Sequence, residues 1–173
     1  MVGLSSGREV APLVRAAAQK AIDLDPALPE AHAMLGFAAA FLEYDWNKAG
    51  RYCSRALAHD ALSPWARSVC ATGFLAATGR TEEALEHQQR AVVGDPLHPG
   101  IRISYATYLM AAGQIDEAEK QIRQTLDFDP NFAAGYNYLA IIYTVRGMYR
   151  EALSYSEKAP SVLRTTGACG SLF

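Results

Sequence analysis

An all-α array of antiparallel helical hairpins is the fold class that this sequence of 173 residues predicts. Three observations carry the prediction. Gly79, Gly113 and Gly147 stand 34 residues apart, as do Glu83, Glu117 and Glu151, and Ala84, Ala118 and Ala152. Ala91, Thr125 and Ala159 keep the same step and Asp95-Pro96 returns as Asp129-Pro130, so five columns share one register. Self-similarity at such a period marks a repeat architecture. Within each period apolar residues recur at helical spacing on both sides of the glycine, and no stretch alternates as a strand would.

The elements follow in order. Residues 1–8 are expected to be a flexible N-terminus. Val14, Ala18 and Ala21, closed by Asp25-Pro26, match only the second half of a unit, so residues 9–26 read as an orphan second helix. Four hairpins are then expected over residues 27–160. In the first, His32, Leu35, Gly36 and Ala39 lead to the loop Glu43-Tyr44-Asp45-Trp46-Asn47, one residue longer than the later loops, and Ala49, Cys53, Ala56 and Leu57 continue on a second helix. Asp45 suits the N-cap of that helix. Ser63-Pro64 reads as an N-cap and first-turn proline opening the second hairpin. In the third, Ile103, Tyr105, Ala106, Leu109 and Met110 precede Gly113, and Ile115, Ala118, Ile122 and Leu126 follow it. Asp129-Pro130 closes the unit, because proline lacks the helical amide and disfavours helical geometry in the residue before it. So short an interval around Gly113 turns the chain back on itself, which makes the helices antiparallel. Residues 161–173 read as an irregular C-terminal tail.

Composition bounds the chemistry. Half of the residues are hydrophobic and 20% charged, with a formal net charge of −2. That balance suits a globular protein, and it supplies no basic footprint for nucleic acid. The longest apolar run, Met34 to Leu42, is about half of the ~18 residues that a membrane span needs. The first residues show no basic start followed by an apolar stretch, so a cytoplasmic protein without a membrane anchor is expected. Cys53, Cys70 and Cys169 have no paired spacing. Cys53 and Cys70 lie inside apolar helical patterns, and packing is expected of them in place of redox or metal chemistry. His32, His59, His87 and His98 are scattered, with no phosphate loop, nucleophile elbow or paired metal ligands nearby. No enzyme, cofactor or metal is expected. Glu83 and His87, one turn apart, read as a solvated contact, and Lys48, Arg51 and Arg55 as a solvated outer face.

These columns resemble the tetratricopeptide repeat, a 34-residue helix-turn-helix unit with the pattern W-x2-L-G-x2-Y, A-x3-F, A and P. The fourth unit has Tyr136-x2-Leu139-Ala140-x2-Tyr143, then Ala152 and Ala159; the third has Tyr105-Ala106-x2-Leu109, Ala118-x3-Ile122 and Pro130. The second keeps Leu75, Ala84, Ala91 and Pro96, and the first keeps Leu35-Gly36, Ala49 and Ala56. His32, Ser68 and Arg102 stand where the family has an aromatic, Ala61 replaces a proline, and Pro160 follows the last helix. Asp45-Trp46 with the following "KAGRYCSRAL" is also similar to arrays of bacterial multidomain signalling proteins.

The resemblance implies a right-handed superhelical solenoid whose first helices line a concave face. By register, that face takes Ala33, Phe37, Ala40 and Phe41 from the first unit and Val69, Gly73 and Ala76 from the second. It takes Ile103, Thr107 and Met110 from the third, and Asn137, Ile141 and Thr144 from the fourth. A groove so small and apolar suits an apolar or amphipathic peptide, with Phe37, Phe41 and Met110 as anchors. One group of relatives clamps an acidic C-terminus with Lys, Asn and Arg; the matching positions here hold Ala33, Phe37, Cys70, Gly100 and Ser104, so no carboxylate clamp is expected. The function expected is a non-catalytic protein-binding scaffold with a protein or peptide partner. The alternative is a self-assembling module, a homodimer through the terminal repeat, unless Val162, Leu163, Leu172 and Phe173 cover that end.

Overall fold

One left-handed residue turns each hairpin. Gly79, Gly113 and Gly147 have φ of +78°, +76° and +75°. The amide of the next residue in each case donates five positions back: Arg80 to the Leu75 carbonyl, Gln114 to Leu109 and Met148 to Tyr143, each at 2.8 Å. An L side chain at these sites carries a steric cost, so glycine is the residue that closes the helix there. In the first hairpin the left-handed residue is Tyr44, with φ of 56°.

The computed structural model describes residues 7–59 and 61–159. Among them run α1 (Gly7–Leu24), α2 (Pro29–Phe37), α3 (Trp46–Leu57), α4 (Pro64–Cys70) and α5 (Thr81–Gly94). Then come α6 (Pro99–Ala111), α7 (Ile115–Phe128), α8 (Ala133–Val145) and α9 (Tyr149–Lys158). Helix α1 already includes Gly7 and Arg8. The tail residues Val162, Leu163, Leu172 and Phe173, together with Cys169, lie outside the described residues. No described helix is long and apolar enough to cross a membrane.

Helices α2 and α4 each continue without a break into a π-helical turn, Ala38–Leu42 and Ala71–Ala76. These wide turns account for an insertion. Asp25, Asp60 and Asp95 are spaced by 35 residues where later units are spaced by 34. Sequence reading assigns the extra residue of the first unit to its loop, but Glu43, Tyr44 and Asp45 bridge the helices in three residues, as 112–114 and 146–148 do later. The extra residue is absorbed inside the helix, which keeps the loop length and rotates the last turn of the first helix. The expected caps form as well: Asp45 accepts the Lys48 amide at 2.9 Å and Ser63 accepts the Ala66 amide at 3.4 Å.

The chain divides into two compact units within α6, between Ser104 and Tyr105. In the first, α1 packs on α2, α2 on α3 and α4, and α4 on α5. Its core is built from small residues: Ala33, Cys53, Ala56, Leu62, Ala66 and Cys70 form one buried cluster, flanked by Leu57 and Phe74. In the second, α8 packs on both α7 and α9 around Ala118, Ile122, Leu139 and Ile142. Alanine at the fully buried Ala84 and Ala118 lets paired helices approach closely, since interaxial distance follows side-chain size.

The cysteines correct an expectation. Cys53 of α3 and Cys70 of α4 form a disulfide, with Cα atoms 5.3 Å apart. Seventeen residues separate them in sequence, and only the packing of the second helix of one hairpin on the first helix of the next brings them together.

Candidate functional site

The residues expected on the inner face divide by burial into a support layer and an exposed layer. In the first unit Ala33 is completely buried and belongs to the cluster around Cys53 and Cys70. Ile103 is 6% exposed and Gly73 is buried, so neither presents itself to solvent. Phe37 and Val69 are half-buried, and Phe41 is 41% exposed. The Phe37 and Phe41 rings lie 5.0 Å apart, tilted by 39°, an arrangement that favours aromatic pairs. The Phe41 ring crosses onto the next hairpin: a Cβ on Gly73 would stand 2.7 Å from a carbon of that ring. A side chain at 73 would therefore push the Phe41 ring aside. Phe37, Phe41 and Val69 are each apolar and partly exposed.

In the second unit Thr107, Met110 and Asn137 are half-buried, while Ile141 is 46% exposed and Thr144 is exposed. The Thr144 hydroxyl donates to the Ala140 carbonyl at 2.8 Å, which leaves its methyl group as the free feature.

Polar side chains brace this framework in ways that the sequence did not announce. His32 Nε2 donates to the Pro26 carbonyl at 2.9 Å, Arg102 Nε to the Pro96 carbonyl at 3.2 Å, and the Tyr136 hydroxyl to the Pro130 carbonyl at 3.0 Å. Three different residue types thus satisfy the equivalent carbonyl, six residues back, in the first, third and fourth units. The departures from an aromatic at 32 and 102 preserve a hydrogen bond. Ser68 departs further. Its hydroxyl donates to Gln88 Oε1 at 2.8 Å, and Gln88 Nε2 donates to the Ser68 carbonyl at 3.2 Å and the Thr72 hydroxyl at 2.9 Å. Gln88 is fully buried, and nothing in its type or spacing marks it in the sequence.

The charges of the outer helices are structural in character. Glu83 pairs with Arg80. His87 meets Arg67 at 3.3 Å, and burial, followed by the charges of Arg67 and Arg90, pushes its proton affinity down. Glu119 accepts from Arg123 at 2.8 Å, from the Tyr143 hydroxyl at 3.0 Å and from Arg146. Burial alone would raise the Glu119 carboxyl, but these hydrogen bonds outweigh it and hold it low. Among the described residues no group of three His, Cys, Asp or Glu is placed to hold a metal ion.

Residues 75–142 match the family model described as tetratricopeptide repeat. The fold is that of the tetratricopeptide repeat. Among solved structures, MamA aligns with a TM-score of 0.69 and 19% identity over 91% of this chain and 94% of that one. YrrB, a tetratricopeptide repeat protein described as having an unusual peptide-binding site, aligns with a TM-score of 0.68 and 21% identity over 92% of this chain and 86% of that one. At these identities the likeness concerns fold alone. The human protein O-mannosyl-transferase TMTC1 is 33% identical over 82 residues, 47% of this chain. The chain spans 9% and 12% of the lengths of two curated relatives, that transferase and an Arabidopsis thaliana repeat-containing thioredoxin. Tetratricopeptide repeats serve as protein-interaction scaffolds.

Proposed function

We propose that this chain is a non-catalytic scaffold that captures an apolar or amphipathic peptide segment on the apolar face of its first helices. The observation that carries the reading is the Phe37–Phe41 pair, with Phe41 partly exposed and seated over Gly73. A large aromatic held by its neighbours loses little side-chain freedom on binding, which is what makes such residues anchors. Val69 extends the surface in the first unit. Met110 and Ile141 supply apolar contacts in the other, and Thr107, Asn137 and Thr144 add polar ones. Ala33, Gly73 and Ile103 act from beneath. The peptide-binding site named for YrrB agrees with this use of the fold.

Affinity capture with the purified chain as bait, read by mass spectrometry, tests the reading. Phe37→Glu and Phe41→Glu place a charge in the apolar face and are expected to abolish capture while far-ultraviolet circular dichroism stays unchanged. Capture that survives both substitutions refutes the assignment of the face.

A second reading is favoured by one observation. On the last hairpin Val145, Tyr149 and Leu153 are 67%, 70% and 62% exposed, an apolar end that suits pairing with another copy. Light scattering on the full chain and on a Leu153→Glu variant separates the readings: a dimer that dissociates in the variant supports self-assembly, and a monomer throughout removes it. The likeness of the Asp45-Trp46 region to bacterial signalling arrays supports a place for the scaffold within a larger assembly.

A further inference from the structure

The sulfurs of Cys53 and Cys70 are buried among residues that adjoin the apolar face in sequence. Cys53 and Cys70 are 1% and 0% exposed, inside the cluster that contains Ala33. Cys70 follows Val69 and precedes Gly73, the residue beneath Phe41, by less than one turn. On the other side Gly36, which precedes Phe37, abuts the bridge: a Cβ there would stand 2.5 Å from Cys53 Sγ and 3.5 Å from the Cys53 amide nitrogen. The residues that wall the sulfurs are therefore the neighbours in sequence of those that form the face. The Cα separation of 5.3 Å is ordinary for a disulfide.

From this we infer that the Cys53–Cys70 pair is a thiol–disulfide control site for the apolar face. The bridge holds the second helix of the first hairpin against the first helix of the second hairpin, and reduction loosens the face that both support. The inference rests on the reading of Phe37, Phe41 and Val69 as a binding surface. The reductant is a dithiol. Its thiolate attacks one sulfur of the bridge, forming a mixed disulfide, and the other sulfur leaves as a thiolate and takes up a proton. The second thiol of the reductant, having lost its proton, then displaces the remaining cysteine, which is protonated in turn. The protein has gained two electrons and two protons, and the reductant has become a disulfide.

Two consequences follow from the packing. Buried sulfurs react only when the junction opens locally, so reduction proceeds at the rate at which the first two hairpins separate. Once reduced, the sulfurs move from a bond of about 2 Å to van der Waals contact. The space at Gly36 is already filled by Cys53, so this widening displaces α3, α4 or the end of α2, and with them Phe37, Val69 and Gly73.

The test uses the full chain. Unfolded in non-reducing buffer and treated with iodoacetamide, it is expected to take one label, at Cys169, and three after reduction. Amide hydrogen exchange is then compared before and after dithiothreitol. Exchange in residues 33–41 and 66–76 is expected to quicken about tenfold or more while residues 115–128 are unchanged, because only the first unit holds the bridge. A Cys53→Ala/Cys70→Ala chain should show the fast pattern in both conditions; if it does not fold, the comparison on the unaltered chain decides alone. Three labels without reductant, or a bridged chain whose exchange does not respond to reduction, overturns the inference. The exchange readout involves no partner. A redox-sensitive face in a chain whose capture is indifferent to Phe41→Glu means that the binding reading has failed and the control site has not.

Discussion

Gln88 offers the sharpest test of how the second hairpin is held. The side chain is fully buried and makes three hydrogen bonds, two with Ser68 and one with the Thr72 hydroxyl. Gln88→Met keeps an unbranched side chain of similar size but leaves the Ser68 hydroxyl, itself in a residue 6% exposed, without its acceptor. A buried polar group left unmade costs about 1–3 kcal/mol, so the variant should lose that much stability. Gln88→Ala adds an unfilled space to the same loss and should cost about 2–4 kcal/mol. Removing both ends of the bond in Ser68→Ala/Gln88→Met should return stability to within about 1 kcal/mol of the original, because no buried hydroxyl is then left without its acceptor. Urea unfolding followed by far-ultraviolet circular dichroism measures all three. Should Gln88→Met match the original chain, or the double variant lose as much as the two single changes summed, the bridge is not what couples α4 to α5.

Other predictions follow from turns and charges. Gly79→Ala, Gly113→Ala and Gly147→Ala should each lose about 1–2 kcal/mol in the same assay, although an added Cβ meets no neighbour, because the left-handed φ carries the cost. Ala118→Leu should lose about 1–3 kcal/mol by overpacking a fully buried position. The proton affinity of His87 is lowered in the folded chain, so below the ordinary value of 6.5 the unfolded state takes up the proton first and stability falls as pH falls; His87→Gln should flatten that part of the pH–stability curve. Glu119 has the carboxylate sign: its contribution is present above 4.5 and is lost as pH falls through its lowered value, and Glu119→Gln should remove it.

Much of this organisation was legible in residue spacing. The 34-residue columns mark glycines and alanines whose roles are steric, and steric requirements at a turn or a helix crossing leave the same residue type each time. Asp45 and Ser63 were legible as caps for a similar reason, since short polar side chains at helix starts have a local task. The π turns were hidden because an inserted residue adds one to the spacing whether it enters a loop or a helix. His32 and Arg102 read only as replacements of an aromatic and Gln88 carried no mark, and their partners became visible only once the preceding turn or the neighbouring helix was in place. The disulfide had no signature at a separation of 17 residues. Of the face, Phe37 and Phe41 could be assigned by register. The seating of Phe41 over Gly73 could not, because it depends on how one hairpin rests on the next and on the rotation that the π turn gives to the end of α2. Ala33, Gly73 and Ile103 share the register of exposed positions yet are buried by that same packing.

The account claims above all that contact with a partner is made by the apolar face around Phe41. Once a captured peptide is in hand, backbone amide chemical-shift mapping on the labelled chain tests this directly. The largest changes are expected at residues 37, 41, 69 and 73, with Phe41→Glu abolishing them. Changes confined to residues 145–153, or persisting undiminished in Phe41→Glu, would contradict it.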